Sequence, residues 1–290
     1  MQTSYFSIVF QITQECPFSC DICLRHYELG SSPLTFQQKL QMIEVLKSLN
    51  VKRLSVSGGE PAVLGNSLFD FLKRVHDEQI HICLSTTGYG LTGAIIRDMD
   101  NYLDQMLISI RSLEIEQWQK DFGNTKYTTK LFHTVNDILR WIRTTGIILE
   151  VNTVLHKENF SQVLRLGEQL NTINSNMIWR IDEYYGIGLT RKFKDRFELD
   201  SDEFEEARQK IQDRFSGKFK SIRFTSKYDR IHSPNFLIDQ TGDLISSSNY
   251  EHKKTGLNIL ELGDDKEIFE ATAISWFGYQ QVCRNWGWSY

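Results

Sequence analysis

Cys16-Pro17-Phe18-Ser19-Cys20-Asp21-Ile22-Cys23 places three thiols within eight residues, directly after Phe6 to Thr13, an apolar and β-branched run that reads as a strand. Three thiolates on one short loop fill three corners of a metal or cluster site and leave a fourth open. A structural zinc ion needs a fourth ligand to close its tetrahedron, and His26 could supply one. Working outward, the run Leu54-Ser55-Val56 leads into Ser57-Gly58-Gly59-Glu60-Pro61, where a strand ends and a loop begins. Adjacent glycines there let the backbone approach a ligand closely. Pro61 fixes the bend, and Glu60 offers an acceptor for an ammonium group.

The two motifs sit in a repeating pattern. Strand candidates at Phe6 to Thr13, Leu54 to Ser57, His81 to Thr86, Met106 to Arg111, Leu149 to Leu155 and Met177 to Tyr184 alternate with helical stretches. The first helix, Thr35 to Leu49, opens on a Thr35/Gln38 capping box and lines Phe36, Leu40, Ile43 and Leu46 along one face. The others span 67–77, 92–100, 130–144 and 160–171. Such alternation predicts an α/β fold, a partial (β/α)6 barrel of parallel strands with right-handed crossovers. Its site is built by the loops at the carboxyl ends of the strands. After the sixth strand comes a small C-terminal α+β extension. Asp200-Ser201-Asp202-Glu203 caps a helix whose Phe204, Ala207, Ile211 and Phe215 form a core stripe, and Ile222-Arg223-Phe224, Phe236 to Asp239 and Asp243-Leu244-Ile245 read as a hairpin or edge addition.

The Cys-x3-Cys-x2-Cys loop followed by Gly58-Gly59-Glu60-Pro61 resembles the paired signatures of the radical S-adenosylmethionine (SAM) superfamily. The resemblance implies that Cys16, Cys20 and Cys23 ligate a [4Fe-4S] cluster, and that SAM chelates its fourth iron. It further implies reductive cleavage of SAM to a 5'-deoxyadenosyl radical that takes hydrogen from a substrate. Ile22 stands where the family usually has an aromatic residue packed on adenine. Gly58, Gly59, Glu60 and Pro61 would serve the SAM ammonium, and Ser85, Ser109 and Asn152, at strand ends, its ribose and amino acid groups. Residues 1–190 would form the radical SAM core, and residues 191–290 an extension packing on it without another Fe-S domain, since only Cys83 and Cys283 remain. Cys83 reads as a small core residue.

For the substrate, Arg180, Asp182, Tyr184 and Tyr185 suggest a polar, aromatic-edged pocket. The layout of the C-terminal half is similar to that of viperin-like enzymes, but Asp182 and Glu183 would repel a triphosphate. The expected activity is hydrogen abstraction from a small-molecule or nucleotide/nucleoside-type substrate, smaller or less anionic than a triphosphate. Its alternative is modification of a peptide, for example epimerisation with Cys283, in the aromatic tail Cys283 to Tyr290, as hydrogen donor. A zinc-stabilised interaction module is the non-enzyme reading. An electron donor such as flavodoxin or ferredoxin would be a partner. A net charge of -4 gives no nucleic-acid signal, and Tyr5 to Phe10 is too short to span a bilayer, so a cytoplasmic location with no membrane partner is expected. Five cysteines, an odd number, do not read as a disulfide framework.

Overall fold

The computed structural model describes residues 6–23, 32–122, 125–232, 235–248, 251–263, 265 and 267–269. Its strands are β1 (Phe6–Thr13), β2 (Val51–Gly58), β3 (His81–Thr86), β4 (Gln105–Ser109), β5 (Ile148–Leu155), β6 (Ile178–Glu183), β7 (Ser221–Thr225), β8 (Asn235–Ile238), β9 (Asp243–Ser248) and β10 (Glu251–Asn258). They form one sheet in the order β10-β9-β8-β1-β2-β3-β4-β5-β6-β7. Every pairing from β8 to β7 is parallel, and only β9 and β10 add antiparallel. This is the expected partial barrel, with all its parallel carboxyl ends on one rim.

Helices α1 (Phe36–Ser48), α2 (Asn66–Asp77), α3 (Gly93–Met99), α4 (Ile115–Phe122), α5 (Thr125–Trp141) and α6 (Phe160–Ile173) make the crossovers. Both hydrogen bonds of the Thr35/Gln38 capping box start α1. Its buried face is Lys39, Met42, Ile43 and Leu46, whereas Phe36, in the exposed first turn, points to solvent. In α2, Leu68, Phe71, Leu72 and Val75 repeat at i, i+3, i+4 and i+7 and are fully buried. Helix α4 has no counterpart in the sequence reading. Its Trp118 is buried and donates its indole N–H to the Ser112 carbonyl.

The strands have two unlike faces. Ile8, Phe10, Ile12, Leu54, Val56, Ile82, Leu84, Met106, Ile108, Leu149, Val151, Trp179 and Ile181 join the helices in one continuous apolar core. The alternate positions, among them Arg53, Ser55, Cys83, Ser85, Gln105, Ser109, Glu150, Asn152, Arg180 and Arg223, face the concave lumen and are mostly polar. Cys83 is buried, but on this polar face and outside the apolar core. Burial pushes its thiol up to about 11, with Arg53 opposing.

After β6, helix α7 (Lys194–Phe197) precedes α8 (Ser201–Phe215), which is capped by Asp200 and Glu203. Phe204, Ala207, Ile211 and Phe215 are buried as the sequence predicts. The expected hairpin is formed by β8 and β9, and β7 is an edge addition. It pairs parallel to β6, because the intervening 15-residue helix carries the chain back to the sheet's other end. Helix α9 (Lys227–His232) then leads to β8, which pairs with β1 at the opposite end of the strand order and turns into β9 through the Asp239–Gly242 bend. Helix α10 (Ile259–Leu262) packs on α1. Among the described residues no helix is long and apolar enough to cross a membrane.

Candidate active site

The rim is organised by two adjoining loops. Thr13 ends β1 and the cysteine loop follows, while Gly58 and Gly59 end β2 beside it. The Gly59 N–H donates to the Thr13 carbonyl and the Glu60 N–H to the Glu15 carbonyl, both at 2.7 Å. Their close approach is what requires glycine. A Cβ on Gly58, at φ 125°, would lie 2.2 Å from the Thr13 oxygen, and one on Gly59 would lie 2.1 Å from the Glu15 oxygen. The sequence reading assigned this approach to a ligand. In the structure the glycines receive the backbone of the cysteine loop.

Glu60 likewise turns inward. It is fully buried, accepting from Thr86 Oγ1 and Thr87 Oγ1 at 2.5 Å, from the Thr87 N–H at 2.7 Å and from the Ala62 N–H at 3.1 Å. Burial pushes its carboxyl up against these donors. This carboxylate clips the end of β2 to the end of β3, and Pro61 begins the single helical turn behind it. The chain β1 loop, Gly59, Glu60, Thr87 thus forms one hydrogen-bonded rim.

Cys16, Cys20 and Cys23, outside any disulfide and each half-buried, lie on the single loop leaving β1. Among the described residues no three His, Cys, Asp or Glu side chains are drawn together into a metal-binding group. The donor chemistry nonetheless suits a thiolate-ligated centre: three reachable thiols at one rim, none in a disulfide. Phe18 anchors the loop in the main core. Ile22 crosses to the opposite side of the mouth, where it joins Tyr184 and Phe197, flanked by Val154 and Phe193, in a separate apolar cluster. Phe197 and Val154 are rim residues that the sequence reading missed.

The candidate ligand residues fall along the lumen in register. Ser109 pairs with Asn152, Asn152 with Arg180 and Arg180 with Arg223, so the four form a row across β4 to β7. Ser85 lies on the same face, in the neighbouring row that includes Leu107 and Glu150. Asn152 Oδ1 is buried with no hydrogen-bond partner. A buried acceptor left unmatched costs about 1–3 kcal/mol, which suits a position completed by a bound donor such as a ribose hydroxyl or an ammonium group.

Below this row runs a polar network that the sequence reading also missed. Arg53 donates to Gln105 at 2.9 Å, Gln105 to Glu150 at 2.5 Å, and Glu150 lies 3.5 Å from Arg180 and 3.8 Å from Arg223. Arg180 grips Asp182 through Nε and Nη2 at 2.9 and 3.0 Å. Burial works against its charge, but Asp182 and Glu150 outweigh it and hold the guanidinium above its ordinary value. Arg180 and Asp182 therefore satisfy each other. Tyr184 is fully buried and donates its hydroxyl to the Thr190 carbonyl at 2.8 Å, and Tyr185 is buried as well. Arg180 and Asp182 thus line the lumen, and Tyr184 joins Ile22 and Phe197 at its mouth. The signal for the network was present in the sequence as polar side chains at every second position of otherwise apolar strands.

Beyond β6, Lys227 bridges Glu183 and Glu198 at 3.3 Å each, fixing the segment that carries Phe197 over the rim. A cleft of about 70 Å³ opens there, lined by Asp21, Arg111, His156 and Phe197 among others. The His156 ring packs 4.8 Å from that of Phe197, and burial holds it down to about 4. Cys283 and the aromatic tail lie outside the described residues.

A family model of the radical SAM superfamily matches residues 10–170, a span that includes the cysteine loop, Gly58 to Pro61 and strands β2 to β5. The chain belongs to the radical SAM superfamily. Radical SAM enzymes typically work with SAM and a [4Fe-4S] cluster. A PqqA peptide cyclase of Granulibacter bethesdensis is 24% identical over 214 residues, 71% of this chain and 56% of its own length. An S-adenosylmethionine-dependent nucleotide dehydratase of Fibrobacter sp. is 25% identical over 170 residues, 54% of this chain and 50% of its own. This radical SAM chain spans about half the length of the curated relatives it matches. Among solved structures, Streptococcus suis SuiB bound to its precursor peptide SuiA superposes with a TM-score of 0.70 over 96% of this chain and 70% of that one, at 12% identity. That likeness confirms the partial-barrel fold.

Proposed function

We propose that this radical SAM enzyme modifies a peptide. The observation that carries the reading is the similarity over nearly the whole chain to SuiB in complex with a precursor peptide, joined by that to PqqA peptide cyclases over 71% of it. The lumen adds a physical argument against a nucleoside triphosphate. A triphosphate needs uncompensated cations, whereas Arg180 is gripped by Asp182, and Glu150 stands beside both Arg180 and Arg223.

In this reading Cys16, Cys20 and Cys23 hold the cluster, while Asn152, Ser85 and Ser109 meet SAM along the lumen. Ile22, with Tyr184 and Phe197, provides the apolar wall at the mouth. When bound, the cluster and SAM supply reductive generation of a hydrogen-abstracting radical, drawing their electron from a donor such as flavodoxin or ferredoxin. The chain's own residues position and seclude. The Gly59 and Glu60 hydrogen bonds hold the cysteine loop against β2, Glu60 locks that rim to β3, and Ile22 closes the far side against water.

The test is anaerobic reconstitution with iron and sulfide, followed by reduction in the presence of SAM. The expected product is 5'-deoxyadenosine, formed by wild type and not by Cys20→Ala. Peptides are expected to raise deoxyadenosine above the uncoupled background, with nucleoside triphosphates giving no rise. The opposite ranking restores the nucleotide reading, and normal deoxyadenosine formation by Cys20→Ala removes the cluster assignment.

A further inference from the structure

We infer that the peptide docks along the outer edge of β7, over the groove between that strand and α8, as an extended acidic segment that adds one more strand to the sheet. The inference rests on the peptide reading above for what arrives, and on geometry and charge for where it sits. The strand order ends on β7, and among the described residues no strand pairs with its outer edge. Such an edge presents a row of backbone N–H and C=O groups, and another backbone in extended conformation is the partner that satisfies them.

The core layer thins out at the same place. Ile222 pairs with Trp179 and Phe224 with Ile181, so both continue core-facing rows of β6. Trp179 and Ile181 are fully buried, whereas Ile222 and Phe224 are only half-buried. Beside them opens a groove of about 400 Å³, closed on its other side by Phe204 and Arg208 of α8. The Arg208 guanidinium lies 5.7 Å over the Phe224 ring. A strand added about 4.8 Å beyond β7 alternates its side chains between two faces. One set enters this groove against Ile222 and Phe224, and the other stands beside Ser221 and Arg223 on the lumen face. A peptide held on this edge therefore has half of its side chains turned to the lumen.

Charge selects the sign. Lys218 and Lys220, just before β7, are exposed, and neither forms an ion pair among the described residues; Lys218 rests over the Phe215 ring. The carboxylates on this side are already engaged, Glu205 by Arg208, Asp213 by the Gln209 amide and Asp229 by Ser226. The edge thus joins unbalanced positive charge to an apolar groove, which fits a segment alternating acidic and apolar residues.

The probe is a fluorescein-labelled peptide of alternating Glu and Val, added to the purified protein without SAM. Fluorescence anisotropy reads binding, and amide hydrogen exchange reads residues 221–225. Binding is expected, with exchange at 221–225 slowed several-fold. An alternating Lys and Val peptide, a helix-forming Glu and Ala peptide, and the Glu and Val peptide N-methylated along its centre are each expected to bind about tenfold more weakly or worse. The double variant Lys218→Glu/Lys220→Glu, altered only at exposed positions, is expected to lose about tenfold in affinity for the Glu and Val peptide while keeping the wild-type Tm. Absence of binding, binding that leaves 221–225 unprotected, or equal binding of the N-methylated peptide overturns the inference. No SAM is cleaved in this measurement, so its failure leaves the peptide reading to deoxyadenosine stimulation. Stimulation by peptides with no protection at β7 would place their docking elsewhere.

Discussion

Replacing Gly59 with Ala tests whether the glycine pair serves the cysteine loop. The new Cβ would sit 2.1 Å from the Glu15 carbonyl oxygen, 2.6 Å from its carbon and 2.7 Å from the Gln14 oxygen. All three are backbone atoms, so no side-chain rotation relieves the overlap, and the loop must retreat by roughly 1 Å to reach a contact that packed interiors tolerate. The retreat weakens the Gly59–Thr13 and Glu60–Glu15 hydrogen bonds, worth about 1 kcal/mol each. Overpacking adds about 1–3 kcal/mol. The total is about 3–5 kcal/mol. For 290 residues, an unfolding entropy of about 2.1 cal/mol/K per residue converts this to a fall of about 5–8 °C in Tm. Because the displaced segment leads straight into Cys16, iron bound after anaerobic reconstitution is expected to fall with it. Gly146→Ala is the control, since its Cβ would meet only Asp100 Oδ1, at an ordinary 3.5 Å. Thermal unfolding and iron content are measured side by side for the three proteins. A Gly59→Ala protein that melts and binds iron like wild type would refute the reasoning.

Two further perturbations probe the rim. Glu60→Gln replaces an acceptor of four hydrogen bonds by an amide whose NH2 faces the Thr87 N–H, and it should cost about 1–3 kcal/mol in a urea titration. An unchanged urea midpoint would show that the β2–β3 clip carries no stability. His156 tests the mouth by pH. Burial, with Arg111 beside it, holds the ring down to about 4, below the 6.5 of an unperturbed histidine. The unfolded chain therefore takes up this proton first as pH falls. The contribution of the neutral ring is complete above about pH 6.5 and is lost as pH drops toward 4. Urea midpoints at pH 7 and pH 5 should draw together in His156→Gln relative to wild type, and equal pH dependence in both proteins would contradict the buried, neutral ring.

The fold was legible because its signals are local. Strands β1 and β3 follow the boundaries read from apolar, β-branched runs, and the Thr35 and Asp200 caps start α1 and α8 where the side-chain spacing puts them. Helix α4 escaped because eight residues give too few turns for a 3.6-residue period to stand out. The place of β7 escaped for a different reason. Ile222-Arg223-Phe224 looks the same whether its neighbour is β6 or β8, and only the return path through α8 selects β6.

At the site the division is similar. By itself the sequence singled out the candidate cluster ligands, since thiol spacing along one loop and a Gly-Gly-Glu-Pro turn are properties of contiguous chain. It could not say what each group faces. Glu60 reads as an open acceptor until Thr86 and Thr87, a strand away, take up its oxygens, and Arg180 reads as a ligand until Asp182 grips it. Those outcomes depend on which strands lie side by side and in what register, and register is fixed by packing the whole sheet against its helices.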